Sequence, residues 1–243
     1  GLLESYGVRY VGSGVLASAV TMDKIAMKQA LAAHGIPIGP YEAVYDGEWR
    51  LGRERVLARL EFALELPVFV KPARAGSSMG ITKVDRCSDL AAAIDTAREH
   101  DPKVVVEQGV IGREIECGVL GASTDDRARA SELGEIVVTD GRDFYDFDAK
   151  YLAADGVVDL IVPADVDGAT GARLKDVAVR AFEALGCEGL ARVDFFVSAD
   201  GQALVNEVNT MPGFTPTSMY PRMWAASGVD YRTLIDRLLE LAS

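Results

Sequence analysis

Several residue types are scarce in this chain, and each shortage narrows what it can do. Two histidines and three cysteines occur among 243 residues. His34 stands just before Gly35 and Pro37, and His100 just before Asp101 and Pro102, so each sits where a helix should stop and a cation is favoured. Chemistry built on imidazole is thereby disfavoured. Cys87, Cys117 and Cys187 are odd in number and form no CxxC pair, which reads as reduced thiols in a cytoplasmic protein. Long uncharged apolar runs are missing, so no segment reads as a membrane span. The opening GLLESYGVRYVGSG lacks the basic-then-apolar order of a secretory signal. It also lacks an initiator Met, which leaves both processing and membership of a longer protein open. Positive charge is short as well. Twenty-five Lys and Arg against 37 Asp and Glu give a net charge of −12, which speaks against a nucleic-acid backbone as partner. It does not speak against a small phosphate held by a local basic cluster.

What is present is a soluble-protein balance of 49% apolar and 26% charged residues. The spacing predicts helices over Thr21–Ala33, with Thr21 as cap, and over Arg53–Leu64, with Val56, Leu57, Leu60 and Leu64 on one stripe. Further helices are expected over Ser88–His100, over Asp167–Leu185 and from about Asp230. PVFVKP and KVVVEQ read as short buried strands, and Glu114–Leu120 with Ser131–Val138 as a pair. TDGRDFYDFDAKY reads as a long polar loop. Mixed hairpins and helices argue an α+β fold rather than a parallel α/β sheet, with a soft boundary near Glu107.

The stretch ARVDFFVSADGQALVNEVNTMPG carries polar residues on its most apolar segments. Asp200-Gly201 between two apolar runs predicts a two-residue hairpin turn. Facing positions then sum to 401, which sets Asp194 opposite Glu207 and Arg192 opposite Asn209. Residues two apart share a face, so these four lie together with Phe196. Val193, Phe195 and Val197, with Leu204 and Val208, are expected on the core side. Facing carboxylates repel unless something compensates. Arg192 could do so in part, and a divalent cation more fully, since Asp, Glu and Asn oxygens suit Mg²⁺. A solvated face with one salt bridge would carry the same residues.

KPARAGSSMG places Lys71 at a strand end before a Gly/Ser loop. Small residues let backbone N–H groups approach a phosphate. The Lys precedes the loop, so this is not the Walker A order. An ordinary turn would look alike, but beside a candidate Mg²⁺ face the loop suits a nucleoside triphosphate.

Taken in order, GSGVLASAVTMDK, VKPARAGSSMGITKV, GREIECGVL, FYDFDAKYL, GLARVDFFV and NEVNTMPGFTPTSMYPRMWAASG resemble the blocks of the D-alanine–D-alanine ligases of the ATP-grasp superfamily. The resemblance implies two α+β subdomains clamping ATP. They would be a central one over 21–107 and a C-terminal one over 108–243 with a lid at about 138–151, after a remnant of an N-terminal domain at 1–20. It implies joining of two D-alanines through a D-alanyl phosphate for peptidoglycan precursors, using ATP and two Mg²⁺, with Mn²⁺ as a substitute. A D-alanine–D-lactate ligase and a fragment that only binds Mg-ATP are the alternatives. A homodimer in the cytoplasm, without nucleic acid or membrane, is the implied setting.

By the same resemblance, Asp194, Glu207 and Asn209 are the metal ligands. Arg192 and the Gly213 N–H stabilise the tetrahedral intermediate. Lys24 and Lys71 meet the α- and β-phosphates, Lys150 the γ-phosphate, and Ser78 offers backbone to phosphate. Glu107 and Val110 hold adenine, Glu114 the ribose, and Phe144 flanks the base. Phe196, on the metal face, is grouped with the cofactor contacts. Ser77 and Tyr151 belong to a Glu–Ser–Tyr set that closes the lid. Ser218 and Met219 contact the second D-alanine. The Glu of that set lies in the family's N-terminal domain, most of which this sequence lacks, so the first substrate would lose an anchor.

Overall fold

The computed structural model describes residues 1–121, 128–138 and 158–242. The chain enters through a short helix α1 (Leu2–Ser5) and then α2 (Val15–Met22) and α3 (Lys24–Ala33). One helix from Thr21 is expected here; the structure has two. Asp23 breaks the path and caps α3, its Oδ1 accepting from the backbone N–H of Ile25 and Ala26, each at 3.1 Å. Thr21 instead donates its hydroxyl to the Ala17 carbonyl at 2.8 Å inside α2.

A four-stranded antiparallel sheet follows, built from β1 (Tyr41–Val44), β2 (Val68–Pro72), β3 (Thr82–Val84) and β4 (Val104–Gln108) in the order β1-β4-β2-β3. Alternation sorts its residues. Val68, Val70, Val104 and Val106 face α4 (Asp46–Ala63, kinked at Gly52) and α5 (Leu90–His100), which bury Trp49, Val56, Leu60, Leu90 and Ile94 against them. Val105 lies on the opposite face and packs with Ala73 and Ile25 of α3.

Between Gln108 and Arg113 the chain passes to a five-stranded antiparallel sheet. It comprises β5 (Arg113–Gly121), β6 (Arg129–Val138), β7 (Val158–Ile161), β8 (Gly189–Val197) and β9 (Ala203–Asn209), ordered β7-β6-β5-β8-β9. Helix α6 (Gly168–Ala184), capped by Asp167, presents Leu174, Val177, Ala178, Ala181 and Phe182 at i, i+3, i+4, i+7 and i+8 to one face of that sheet. Met27, Leu31 and Ile36 join this core. The small core thus draws on residues between 44 and 106, and the large one on residues before 37 and after 114, with α3 touching both sheets. Helices α7 (Met219–Ala226) and α8 (Tyr231–Glu240) close the end of the large sheet through Tyr220, Trp224, Leu234 and Leu238. Helix α7 occupies a stretch expected to be loop. Its Pro221 is the third helical residue, where a missing N–H costs nothing. The mixed, antiparallel architecture is α+β.

The β8–β9 hairpin reaches the expected alignment by an unexpected route. Ser198 and Gln202 close the loop, the Ser198 N–H donating to the Gln202 carbonyl at 2.9 Å, and Gly201 takes φ +79. The loop therefore holds three residues, and Phe196 faces Leu204, where a two-residue turn would set it opposite Val205. A bulge at Asn206 then restores Asp194 to Glu207 and Arg192 to Asn209. Leu204, expected in the core, lies opposite Phe196 and is half-buried, while Val205 takes the core position.

Candidate functional site

The two sheets leave between them a cleft of about 610 Å³. From the small sheet's side come Lys24, Lys71, Ser77 and Ser78. From the large sheet come Glu114, Arg192, Asp194, Phe196, Glu207 and Asn209, and from the loop into α7 come Gly213, Ser218 and Met219. A side pocket of about 100 Å³ continues it, lined by Glu107 and Val110 and sharing Lys71, Glu114 and Phe196. Lys150, Tyr151, Phe144 and the stretch expected as a lid lie outside the described residues.

On the large sheet the polar face is a grid across three strands. Glu114 faces Phe196, which faces Leu204. Glu116 faces Asp194, which faces Glu207. Gly118 faces Arg192, which faces Asn209. Arg192 donates from Nε and Nη2 to the two Asp194 oxygens at 2.7 Å each, and its Nε lies 3.2 Å from Glu116 Oε1. Burial opposes the guanidinium's charge, but the Asp194 and Glu116 carboxylates outweigh it and hold the proton more tightly than usual. Glu116 is 4% exposed, and its Oε2 has no hydrogen-bond partner among the described residues. Burial first, and the Asp194 charge second, push its carboxyl well above the ordinary range, against the pull of Arg192.

No three His, Cys, Asp or Glu side chains form a metal-holding group among the described residues. The donor set still fits a hard cation. Asp194, Glu207 and Asn209 offer two carboxylates and an amide on adjacent positions of one face that opens on the cleft. Such a set suits an ion that completes its shell with water and phosphate.

On the small sheet, strand parity turns Lys71 and Glu107 away from the helices. Lys71 Nζ donates to Glu107 Oε2 at 2.5 Å, and Lys28 Nζ lies 2.9 Å from Oε1. Burial alone would raise the Glu107 carboxyl; the two ammonium groups, Lys71 before Lys28, overcome it and hold it at about 2. Lys24 Nζ donates to the Ala75 carbonyl at 2.7 Å, which ties α3 to the Gly/Ser loop. That loop carries Ser77 at φ +52 and Ser78 at φ +58, a left-handed pair that L side chains seldom adopt. Its base is clamped by Arg74, whose Nε and Nη2 donate to Asp101 at 2.8 and 2.7 Å. Across the cleft, Ser218 Oγ accepts from the Thr215 N–H at 3.1 Å and pairs with Thr215 Oγ1 at 2.8 Å, so the segment before α7 is folded onto itself beside Gly213. Both histidines stand at helix ends, His34 Nδ1 bonding the Ala30 carbonyl at 2.8 Å.

Residues 30–240 match the family model described as D-ala D-ala ligase C-terminus. The chain belongs to that family. Over its whole length it is 56% identical to the D-alanine–D-alanine ligase of Paenarthrobacter aurescens and 58% identical to that of Kocuria rhizophila, spanning 64% and 62% of those proteins. Among solved structures, the VanG D-Ala:D-Ser ligase of Enterococcus faecalis matches with TM-score 0.87 and 37% identity over 99% of this chain and 67% of that one. The D-alanine–D-alanine ligase of Coxiella burnetii matches with TM-score 0.83 and 35% identity, over 99% and 62%.

Sequence reasoning about this family member overlooked two buried ionisable residues. Glu116 had a signal: it stands two residues from Glu114 on one strand and must share its face. Lys28 had a fainter one, a lysine one turn after Lys24 on a helix whose Ile25 and Leu31 are buried.

Proposed function

We propose that this chain is the nucleotide-binding and ligating part of an ATP-dependent D-alanine–D-alanine ligase that makes D-alanyl-D-alanine for peptidoglycan precursors. The two sheets act as the two ATP-grasp lobes; the small one takes about 41–108 rather than 21–107, because Met27 and Leu31 of α3 pack into the core of the large one. The observation that carries this reading is the meeting, on one cleft, of Lys24, Lys71 and the Ser77–Ser78 loop with the Arg192, Asp194, Glu207 and Asn209 face. Cationic and N–H donors on one wall and hard oxygen ligands on the other suit a triphosphate between them.

In the proposed reaction, a carboxylate oxygen of the first D-alanine attacks the γ-phosphorus, and the bond to ADP breaks. The amine of the second D-alanine attacks the acyl carbon, loses a proton, and the carbon–oxygen bond to phosphate breaks. Lys24, Lys71 and the Ser78 backbone position the phosphates. Glu107 and Val110, with Phe196 and Glu114, receive adenosine in the side pocket. Asp194, Glu207 and Asn209 would hold two Mg²⁺, which supply charge neutralisation for phosphoryl transfer. Arg192 and the Gly213 N–H donate to the oxyanion, and Ser218 and Met219 receive the second D-alanine. Lys150, Tyr151 and Phe144 take the γ-phosphate, lid and base-flanking roles that the resemblance gives them, Tyr151 closing on Ser77. A cytoplasmic homodimer is the proposed setting.

Relatives named D-alanine–D-alanine ligase stand at 54–58% identity over the whole chain, which supports D-alanine as acceptor. The test is phosphate release from Mg-ATP with D-alanine, and with D-lactate or D-serine added as acceptor. Release with dipeptide formed supports the reading, and a clear preference for either other acceptor refutes the substrate. Mg-ATP binding without release assigns this chain the grasp alone.

A further inference from the structure

The mechanism above uses Lys71 and Glu107 but leaves Lys28 without a part. Lys28 is 2% exposed and lines neither the cleft nor its side pocket. It stands on α3 one turn beyond Lys24, and its Nζ meets Glu107 Oε1 at 2.9 Å while Lys71 holds Oε2 at 2.5 Å. One carboxylate is therefore shared between an inner lysine that faces the cleft and an outer lysine that cannot reach it. The Tyr41 ring, 5.7 Å from Lys28 Nζ, covers the outer ammonium.

We infer that Lys28 is a positioning residue for nucleotide binding: by holding the Glu107 carboxylate from behind, it frees Lys71 to give its charge to a phosphate. This rests on the reading of the cleft as an ATP site. When a phosphate draws on Lys71, the buried carboxylate must keep a cationic partner, because an unpaired buried charge is strongly unfavourable. Lys28 is that partner. Without it, Glu107 and the phosphate compete for one ammonium.

The effect should depend on phosphate. In Lys28→Met, calorimetry should show the Kd for Mg-ATP rising by about tenfold or more, the factor that one pKa unit of charge interaction represents. The Kd for adenosine, which offers Lys71 nothing, should stay within about twofold of the wild type, well below that factor. The second arm is a double-mutant cycle. In a Glu107→Gln background the carboxylate is gone, so adding Lys28→Met should leave the ATP-to-adenosine affinity ratio where Glu107→Gln alone sets it. The inference is overturned by unchanged ATP binding in Lys28→Met, by equal weakening of ATP and adenosine, or by a further fall of the ratio in the double variant. Those outcomes, with a wild type that binds Mg-ATP, leave the ATP site standing. A wild type that binds neither ligand overturns both readings.

Discussion

Replacing Arg192 by Met should cost stability and chemistry through the same contacts, and the stability loss should depend on pH. The side chain of Arg192 is 18% exposed, and those of its partners Glu116 and Asp194 are 5% and 14% exposed. Met fills much the same volume, so the loss is electrostatic rather than a cavity. Removing one partner from a buried ion pair costs about 3–5 kcal/mol, because the remaining charge is left uncompensated. Here two carboxylates are left facing each other on the ladder, with Glu207 beyond. Glu116 offers a way out, since it can take a proton. Its carboxyl already lies above the ordinary range through burial and Asp194, and Arg192 is what pulls it down, so the variant raises it further. A group whose folded pKa is raised lends stability that is complete below its unfolded value and is lost as pH climbs through the folded one. The deficit should therefore be smallest at about pH 6, where both proteins keep the Glu116 proton, and already larger at about pH 9, past the wild-type value of about 8. Urea unfolding followed by circular dichroism at both pH values measures it. A deficit under about 1 kcal/mol at alkaline pH, the size of an exposed pair, would refute the reasoning. So would a deficit larger on the acid side. Turnover should fall by about 100- to 1000-fold, the usual cost of one lost oxyanion donor.

Three other substitutions probe separate parts of the site. Glu207→Ala should abolish turnover while the far-ultraviolet spectrum stays that of the wild type; a variant with most of its activity would dismiss the metal assignment. Asp23→Ala removes the α3 cap and the partly buried pair with Lys103 Nζ at 2.7 Å. The loss is about 2 kcal/mol, or about 4–8 °C in Tm by differential scanning calorimetry. Gly80→Ala forces a left-handed residue, φ +70, into the His100 ring and to 2.9 Å from Pro72. It should raise the KM for ATP several-fold and destabilise by about 1–3 kcal/mol, and an unchanged KM would separate the Gly/Ser loop from phosphate binding.

The hairpin shows how a sequence can give the right site for partly the wrong reason. A two-residue turn predicts Asp194 opposite Glu207. The loop actually spends one more residue, and Asn206 bulges out on the next strand, so the two shifts cancel at the carboxylates and survive only at Leu204. Composition does not advertise a bulge at an Asn. The helices with a strong apolar stripe, α5 and α6, were legible for the usual reason that burial imposes a 3.6-residue period. Strands β1, β3 and β7 have four, three and four residues, too few for any period to stand out. Lys28 and Glu116 escaped because each looks locally like a solvated charge, and only the pairing of distant strands and of α3 with β4 buries them.

The division of the two cores has a consequence for how the molecule could be cut and rejoined. Residues 41–108 form an inserted unit with neighbouring ends: the Gln108 N–H donates to the Pro40 carbonyl at 3.0 Å, and Gly39 lies beside Val110. Among the described residues, no side chain from that span enters the core of the large sheet. Excising the insert and joining its ends with a short turn should leave the large-sheet core whole, with the side of α3 around Ile25 newly exposed. Lobes exchanged between relatives should likewise tolerate junctions at Gly39 and Gly109, whereas a junction ahead of α3 would tear Met27 and Leu31 from the core they complete.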